Sequence, residues 1–153
     1  DLMMRDFAQT IVKVNDRHHL VLLAEQILQH IPYQPESTSV TTSAIDSFYA
    51  GQGVCQDHAH VFIAMCRALQ LPARYVSGYL YDQNQPHLAS HAWAEVFVEN
   101  EWYCFDISNQ IFTPKSHIYV AIGRDYLDVA PVRGVREQGG IESMTSSVQV
   151  LAC

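Results

Sequence analysis

The sequence predicts an α+β domain. Helical periodicity fills the chain as far as Leu69, short β-branched and aromatic runs follow it, and a tight polar connection joins two of those runs as a hairpin. Helices first and hairpin-linked strands afterwards place an antiparallel sheet against a helical layer. At 153 residues the chain fits one domain, long enough to bury roughly two thirds of the surface its unfolded form exposes.

From Asp16 to Ile31 the residues Leu20, Leu23, Ile27 and Ile31 recur at helical spacing, and Pro32 stops the run. PYQPESTSVTT reads as a loop. Thr42 or Ser43 then caps a short helix carrying Ala44, Ile45, Phe48 and Tyr49, which Gly51 ends. A further helix runs from Cys55 to Leu69. It sets Cys55, Ala59, Phe62, Cys66 and Leu69 on one stripe at spacings of four, three, four and three, the pattern of a face turned to a core. Leu71 and Pro72 close it. Beyond them ARYVSGYLY, HAWAEVFVE, EWYCFDI, HIYVAIG and SSVQVLA read as strands, with VENEW as the hairpin connection. Asp1 stands inside what reads as a helix, so residues 1–153 are expected to be one domain cut from a longer chain.

The composition, 48% hydrophobic and 16% charged, is that of a soluble protein, and no stretch approaches the run of about 18 apolar residues that a membrane span needs. Nine basic residues against sixteen acidic ones leave a net charge of -7, with the basic residues scattered. Neither nucleic acid nor an anionic membrane is an expected partner. Cysteines at 55, 66, 104 and 153 form no C-x-x-C pair, and a domain of this size needs no staples, so reduced thiols and a cytoplasmic location are expected.

GVCQDHAH, residues 53–60, admits a metal site, a disulfide half, a packed thiol or a nucleophile at Cys55. On a helix His60 is turned about 200° from His58, so one helix offers two ligands rather than three, and zinc would consume the thiol. No metal is expected; His58 and His60 are read as packing or capping residues, and Asp57 as a charge complementing the helix dipole. A helix N-terminus carries unpaired N–H groups and partial positive charge, and a thiol placed there ionises more readily. His91 and Asp106 flank the hairpin. With the turn centred at position 99, position 107 lies opposite His91, one from Asp106, and cross-strand neighbours stand about 5 Å apart. A carboxylate there orients the imidazole and leaves its other nitrogen free for a thiol proton. Trp93 shares the strand face of His91, as a wall of the site or as core. Cys104 shares the face of Asp106 and is expected near Cys55, as a buried thiol or a redox partner. GRDYLDVAPVRG lacks calcium-loop spacing and is expected to pack over the sheet or edge a cleft.

GVCQDHAHVFIAMCRALQLPARYVSGYL, SHAWAEVFV and WYCFDISN, in that order, resemble the bacterial transglutaminase-like family, and the resemblance extends through IPYQPESTSV and HIYVAIGRDYLDVAPVRGV. It implies a papain-like α+β fold, a preceding N-terminal β-rich region, and a Cys55 nucleophile with His91 as general base and acid and Asp106 as the group orienting His91. It also implies acyl transfer from a peptide or glutamine amide through a thioester, on a peptide or protein substrate and without a cofactor. The oxyanion needs donors. The Cys55 backbone N–H is one, and Gln52 and Tyr33 carry candidates for the second. The other class of function is a non-catalytic binding or scaffold domain of the same fold, against which the intact Cys, His and Asp set argues.

Overall fold

The four N-terminal helices start at residues whose side chains or neighbours satisfy the orphan N–H groups of a first turn. In the computed structural model, which describes residues 1–82, 84, 89–130, 140 and 147–150, α1 (Leu2–Ile11) begins after Asp1, whose carboxylate accepts the Met4 N–H at 3.0 Å. Asp1 is thus the cap of the helix and not a residue within it. Asp16 caps α2 (Arg17–His30) through the His19 N–H, and Ser43 caps α3 (Ala44–Ala50) through the Asp46 N–H.

The fourth helix, α4 (Cys55–Ala68), departs from a one-sided pattern. Ala59, Phe62 and Cys66 are buried as the stripe predicts, but so are Asp57, His58, Val61, Ile63 and Met65. The reason is its position: β-strands cover one side while α1, α2 and α3 pack on the others. Its N-terminus is secured by Asp57, which is fully buried. One carboxylate oxygen accepts the Val54 N–H at 2.8 Å and the Thr38 hydroxyl, and the other accepts the Ser47 hydroxyl at 2.8 Å. Asp57 is therefore a buried anchor, more than a charge beside the helix dipole. The close return of this side chain explains Gly53, where an added Cβ would stand 2.8 Å from the Asp57 Cβ. Gly53 also bridges to Tyr33, its carbonyl accepting the Gln34 N–H at 2.8 Å.

The strands β1 (Ala73–Leu80), β2 (His91–Val98), β3 (Glu101–Phe105) and β4 (His117–Gly123) form one antiparallel sheet in the order β3-β2-β1-β4. Ala92, Ala94, Val96, Tyr75 and Phe105 belong to the main core shared with α4, while Val76, Trp93 and Cys104 form a second apolar cluster. Phe62 meets Phe105 with ring centroids 5.0 Å apart, joining helix to sheet. The hairpin turns through Glu99 and Asn100, both at positive φ (52° and 66°), between the paired Val98 and Glu101. Two central residues of that hand match the twist of the flanking strands. Arg17 at the start of α2 holds the turn, its N–H donating to a Glu99 carboxylate oxygen at 3.1 Å.

Four of the five expected strands form. Within the fifth, SSVQVLA, residues 147–150 show an isolated bridge position at Gln149, and the remainder lies outside the described residues. GRDYLDVAPVRG carries a short helix, α5 (Tyr126–Val129), packed on β4 and β1. Among the described residues no helix is long and apolar enough to cross a membrane.

Replacing Asp57 with alanine leaves two hydroxyls and an N–H without their acceptor, the Ser47 hydroxyl in the interior and the other two half-buried. The expected loss is about 3 kcal/mol of unfolding free energy, measured by urea denaturation, and a loss below about 1 kcal/mol would refute the anchoring role.

Candidate active site

Cys55 occupies the first position of α4 and faces a cleft of about 500 Å³ lined also by Tyr33, Gln56, Tyr75, His91 and Tyr126. Tyr126, Asp128, Val129 and Ala130 edge this cleft, one of the two places expected for that loop. Gly78, paired with His91 across β1 and β2, forms part of the floor. A Cβ at Gly78 would collide with the Ile118 carbonyl oxygen and come within 2.8 Å of the Trp93 ring, so the β1–β4 irregularity at Ser77–Gly78 requires glycine.

His91 Nε2 lies 2.8 Å from Asp106 Oδ2. The register places the contact differently from a facing pair. Val98 pairs with Glu101 and Ala94 with Phe105, so position 106 continues opposite 93, and His91 reaches the carboxylate diagonally from two residues further along. Beyond β3, Asp106 and Ile111 exchange backbone hydrogen bonds at 2.9 and 3.1 Å, closing a short loop. That loop brings Asn109 back to the carboxylate: its N–H donates to Oδ1 at 3.2 Å and its Nδ2 to Oδ2 at 3.0 Å. A third donor comes from β4, where His117 Nε2 stands 2.9 Å from the same Oδ2. The side chains of Asp106 and His117 are fully buried and that of His91 is 12% exposed.

The electrostatics follow from these contacts. Burial opposes the charge on Asp106, but hydrogen bonds from His117, His91 and Asn109 hold the carboxyl well below the usual carboxylate range. Burial likewise opposes a charge on His91, yet hydrogen bonds with Asp106 and the Cys55 side chain push it up from 6.5 to about 9. The ring thus engages the carboxylate through Nε2 and shares the cleft with Cys55. The ligating atoms of His91, Asp106 and His117 lie within 4.8 Å of one another. Both imidazole nitrogens are committed to one carboxylate oxygen, and hydrogen bonding accounts for that convergence.

The other histidines of GVCQDHAH are engaged elsewhere. His58 Nε2 donates to the Ile31 carbonyl at 2.8 Å and Nδ1 accepts from the Ser108 hydroxyl at 2.7 Å, while burial lowers its proton affinity. His60 Nε2 accepts the Tyr126 N–H at 3.1 Å, and burial lowers it too. Trp93 lies behind the site, fully buried, with its ring 5.8 Å from that of His91 and 4.8 Å from that of His117. Cys104 packs with Val76 and Trp93 and does not line the cleft, and burial pushes its thiol up to about 12. Of the two side chains named for the oxyanion, Tyr33 lines the cleft and Gln52 does not. His117, Asn109 and Gln56 are additions from the structure. Asn109 had a signal in the turn-forming run Asp-Ile-Ser-Asn after the strand, whereas His117 looked like the first residue of an ordinary strand.

A family model described as the transglutaminase-like superfamily matches residues 5–107. An uncharacterized protein of Mycobacterium leprae is 32% identical over 140 residues, 88% of this chain and 50% of that protein. A second, from Mycobacterium tuberculosis, is 38% identical over 125 residues, 74% of this chain and 40% of its own. The chain therefore spans half or less of the length of these relatives. A crystal structure of a cysteine protease candidate from Cytophaga hutchinsonii superposes with a TM-score of 0.73 at 32% identity, over 84% of this chain and 44% of that one. Legionella pneumophila LapG, at 14% identity and a TM-score of 0.61 over 84% of this chain and 80% of its own, shares the fold. On the family match and the architecture together, the chain belongs to the transglutaminase-like superfamily and has its α+β, papain-like core.

Proposed function

We propose that this domain is a cysteine-dependent acyl-transfer enzyme that cleaves or exchanges peptide or glutamine amide bonds, with Cys55 as nucleophile, His91 as general base and acid, and Asp106 as the group that orients His91. The observation that carries the reading is the His91 imidazole, which hydrogen-bonds Asp106 through Nε2 at 2.8 Å and lines the same cleft as Cys55. The family match and the Cytophaga relative support it.

In this mechanism Nδ1 of His91 already holds the proton taken from Cys55, and Sγ attacks the substrate carbonyl carbon beside the imidazolium. The tetrahedral oxyanion is met by the Cys55 backbone N–H, at the first helical position, which has no carbonyl partner within the helix. Tyr33, in the cleft, is the favoured second donor. Collapse breaks the C–N bond, and His91 returns the proton to the departing nitrogen, giving ammonia from a glutamine side chain or a new amino terminus from a peptide. The thioester left on Sγ is then attacked by water or an amine, whose proton His91 takes before passing it to the released thiolate. Asp106 stays ionised throughout and stabilises the imidazolium. The substrate is proposed to be a peptide or protein, and the reducing cytoplasm is the proposed compartment, in keeping with free thiols at Cys55, Cys66 and Cys104.

Iodoacetamide at neutral pH is expected to label Cys55 faster than Cys66, whose buried thiol is held protonated, and His91→Ala is expected to slow Cys55 alone. Peptide mapping by mass spectrometry reads both, and equal labelling of the two cysteines would sink the reading. Ammonia release set against new amino termini on a peptide library separates deamidation and transamidation from proteolysis.

The His91 shift also has a stability consequence. Because the folded ring binds its proton more tightly than a free imidazole, with a value of about 9 against 6.5, the contribution is complete below pH 6.5 and is lost as the pH rises toward 9. Urea midpoints are expected to fall across that window in the wild type and to fall less in Asp106→Asn. The same slope in both proteins would remove Asp106 as the partner of His91.

A further inference from the structure

Resting on the triad read above, we propose that His117 is a positioning residue: its Nε2–H, held at Asp106 Oδ2, fixes that carboxylate against His91. Four observations carry this. The side chain of His117 is fully buried, and Nε2 stands 2.9 Å from Oδ2. Its Nδ1 is buried and, among the described residues, without a hydrogen-bond partner. Among the described residues the carboxylate is thus the ring's one hydrogen-bond partner, and acceptance by a carboxylate requires the proton on Nε2. His117 also comes from β4, two strands away from His91 on β2 with β1 between, and the two rings stand 6.4 Å apart by centroid.

An apolar side chain would be the simpler filler beside Trp93. A buried imidazole with an unpaired Nδ1 costs stability that leucine or phenylalanine avoids, and what it gives in return is directed at Asp106. That carboxylate is buried, and donors from β2, β4 and its own loop converge on Oδ2. Losing one lets the group swing toward the remaining two and loosens the imidazole it orients. The groups facing Asp106 are His91 on β2, His117 on β4, Cys104 on β3, His58 on α4 and, through His91, Cys55. Burial raises the Asp106 carboxyl, and the His117 hydrogen bond heads the contacts that lower it.

The test is the pH profile of Cys55 alkylation by iodoacetamide in the wild type, His117→Phe and His117→Gln, with melting temperatures alongside. The phenylalanine variant keeps the volume without the donor and is expected to lower the plateau rate about 10-fold, the scale of an outer-shell contact, and to move the acid limb upward by about one pH unit. Glutamine, whose Nε2 reaches the same place, is expected to recover most of both. A phenylalanine profile that superimposes on the wild type, or a glutamine variant as impaired as phenylalanine at an unchanged melting temperature, overturns the proposal. In wild-type protein labelled with ¹⁵N-histidine, His117 is expected as the Nε2-protonated form, and an Nδ1-protonated ring overturns the proposal without any variant. Wild-type Cys55 that reacts no faster than Cys66 removes the triad and this inference together, whereas a normal wild-type profile left unmoved by His117→Phe removes this inference alone.

Discussion

A helix that begins inside a protein must find partners for N–H groups that water would otherwise satisfy. Here α4 packs between the sheet and three other helices, and Asp57 meets that requirement by accepting the Val54 N–H and two hydroxyls while wholly buried. Because the hydroxyls belong to Thr38 and Ser47, the same carboxylate ties the loop before α3, and α3 itself, to the first turn of α4. Gly53 has no side chain because Asp57 needs the room. The cleft, its Tyr33 wall and the placement of Cys55 follow from this one satisfied anion.

A second buried carboxylate works on the opposite side of the cleft. Asp106 gathers its donors from β2, β4 and the loop it closes with Ile111. In a dry site an anion with that many donors neither protonates nor wanders, and it imposes a direction on whatever imidazole it holds. The two aspartates divide the work, Asp57 holding the helix that carries the thiol and Asp106 holding the imidazole proposed as its base.

The sequence revealed the architecture well where local chemistry decides it. Pro32, Ser43, Gly51 and Pro72 bounded the helices, and alternating runs marked the strands of the sheet. The pairing of His91 with Asp106 was legible because a hairpin maps sequence distance onto space, although a centre assumed at 99 put Asp106 one position from facing His91 where the two-residue turn at Glu99–Asn100 puts it two. What could not be read is what depends on a third element. Periodicity along α4 shows one apolar stripe, and only the packing of the other helices explains why Asp57 and His58 are buried as well. Trp93 and Cys104 share strand faces with the site, yet the sheet turns them into a cluster behind it. His117 belongs to β4, which no local pattern places beside β1 or across from Asp106.

The parts of the site also differ in how far the chain must travel to bring them together. His91, Asn109 and His117 all come from within 15 residues of Asp106, whereas Cys55 precedes His91 by 36 and arrives on a separate helix. Base and carboxylate therefore belong to one contiguous unit and the thiol to another, joined through the packing of α4 on β2. An opening that parts those two units leaves each internally intact but separates the thiol from the imidazole. On the proposed mechanism, thiol reactivity then reports on the integrity of the assembled domain, and a partly unfolded or nascent chain carries its cysteine apart from the imidazole that would activate it.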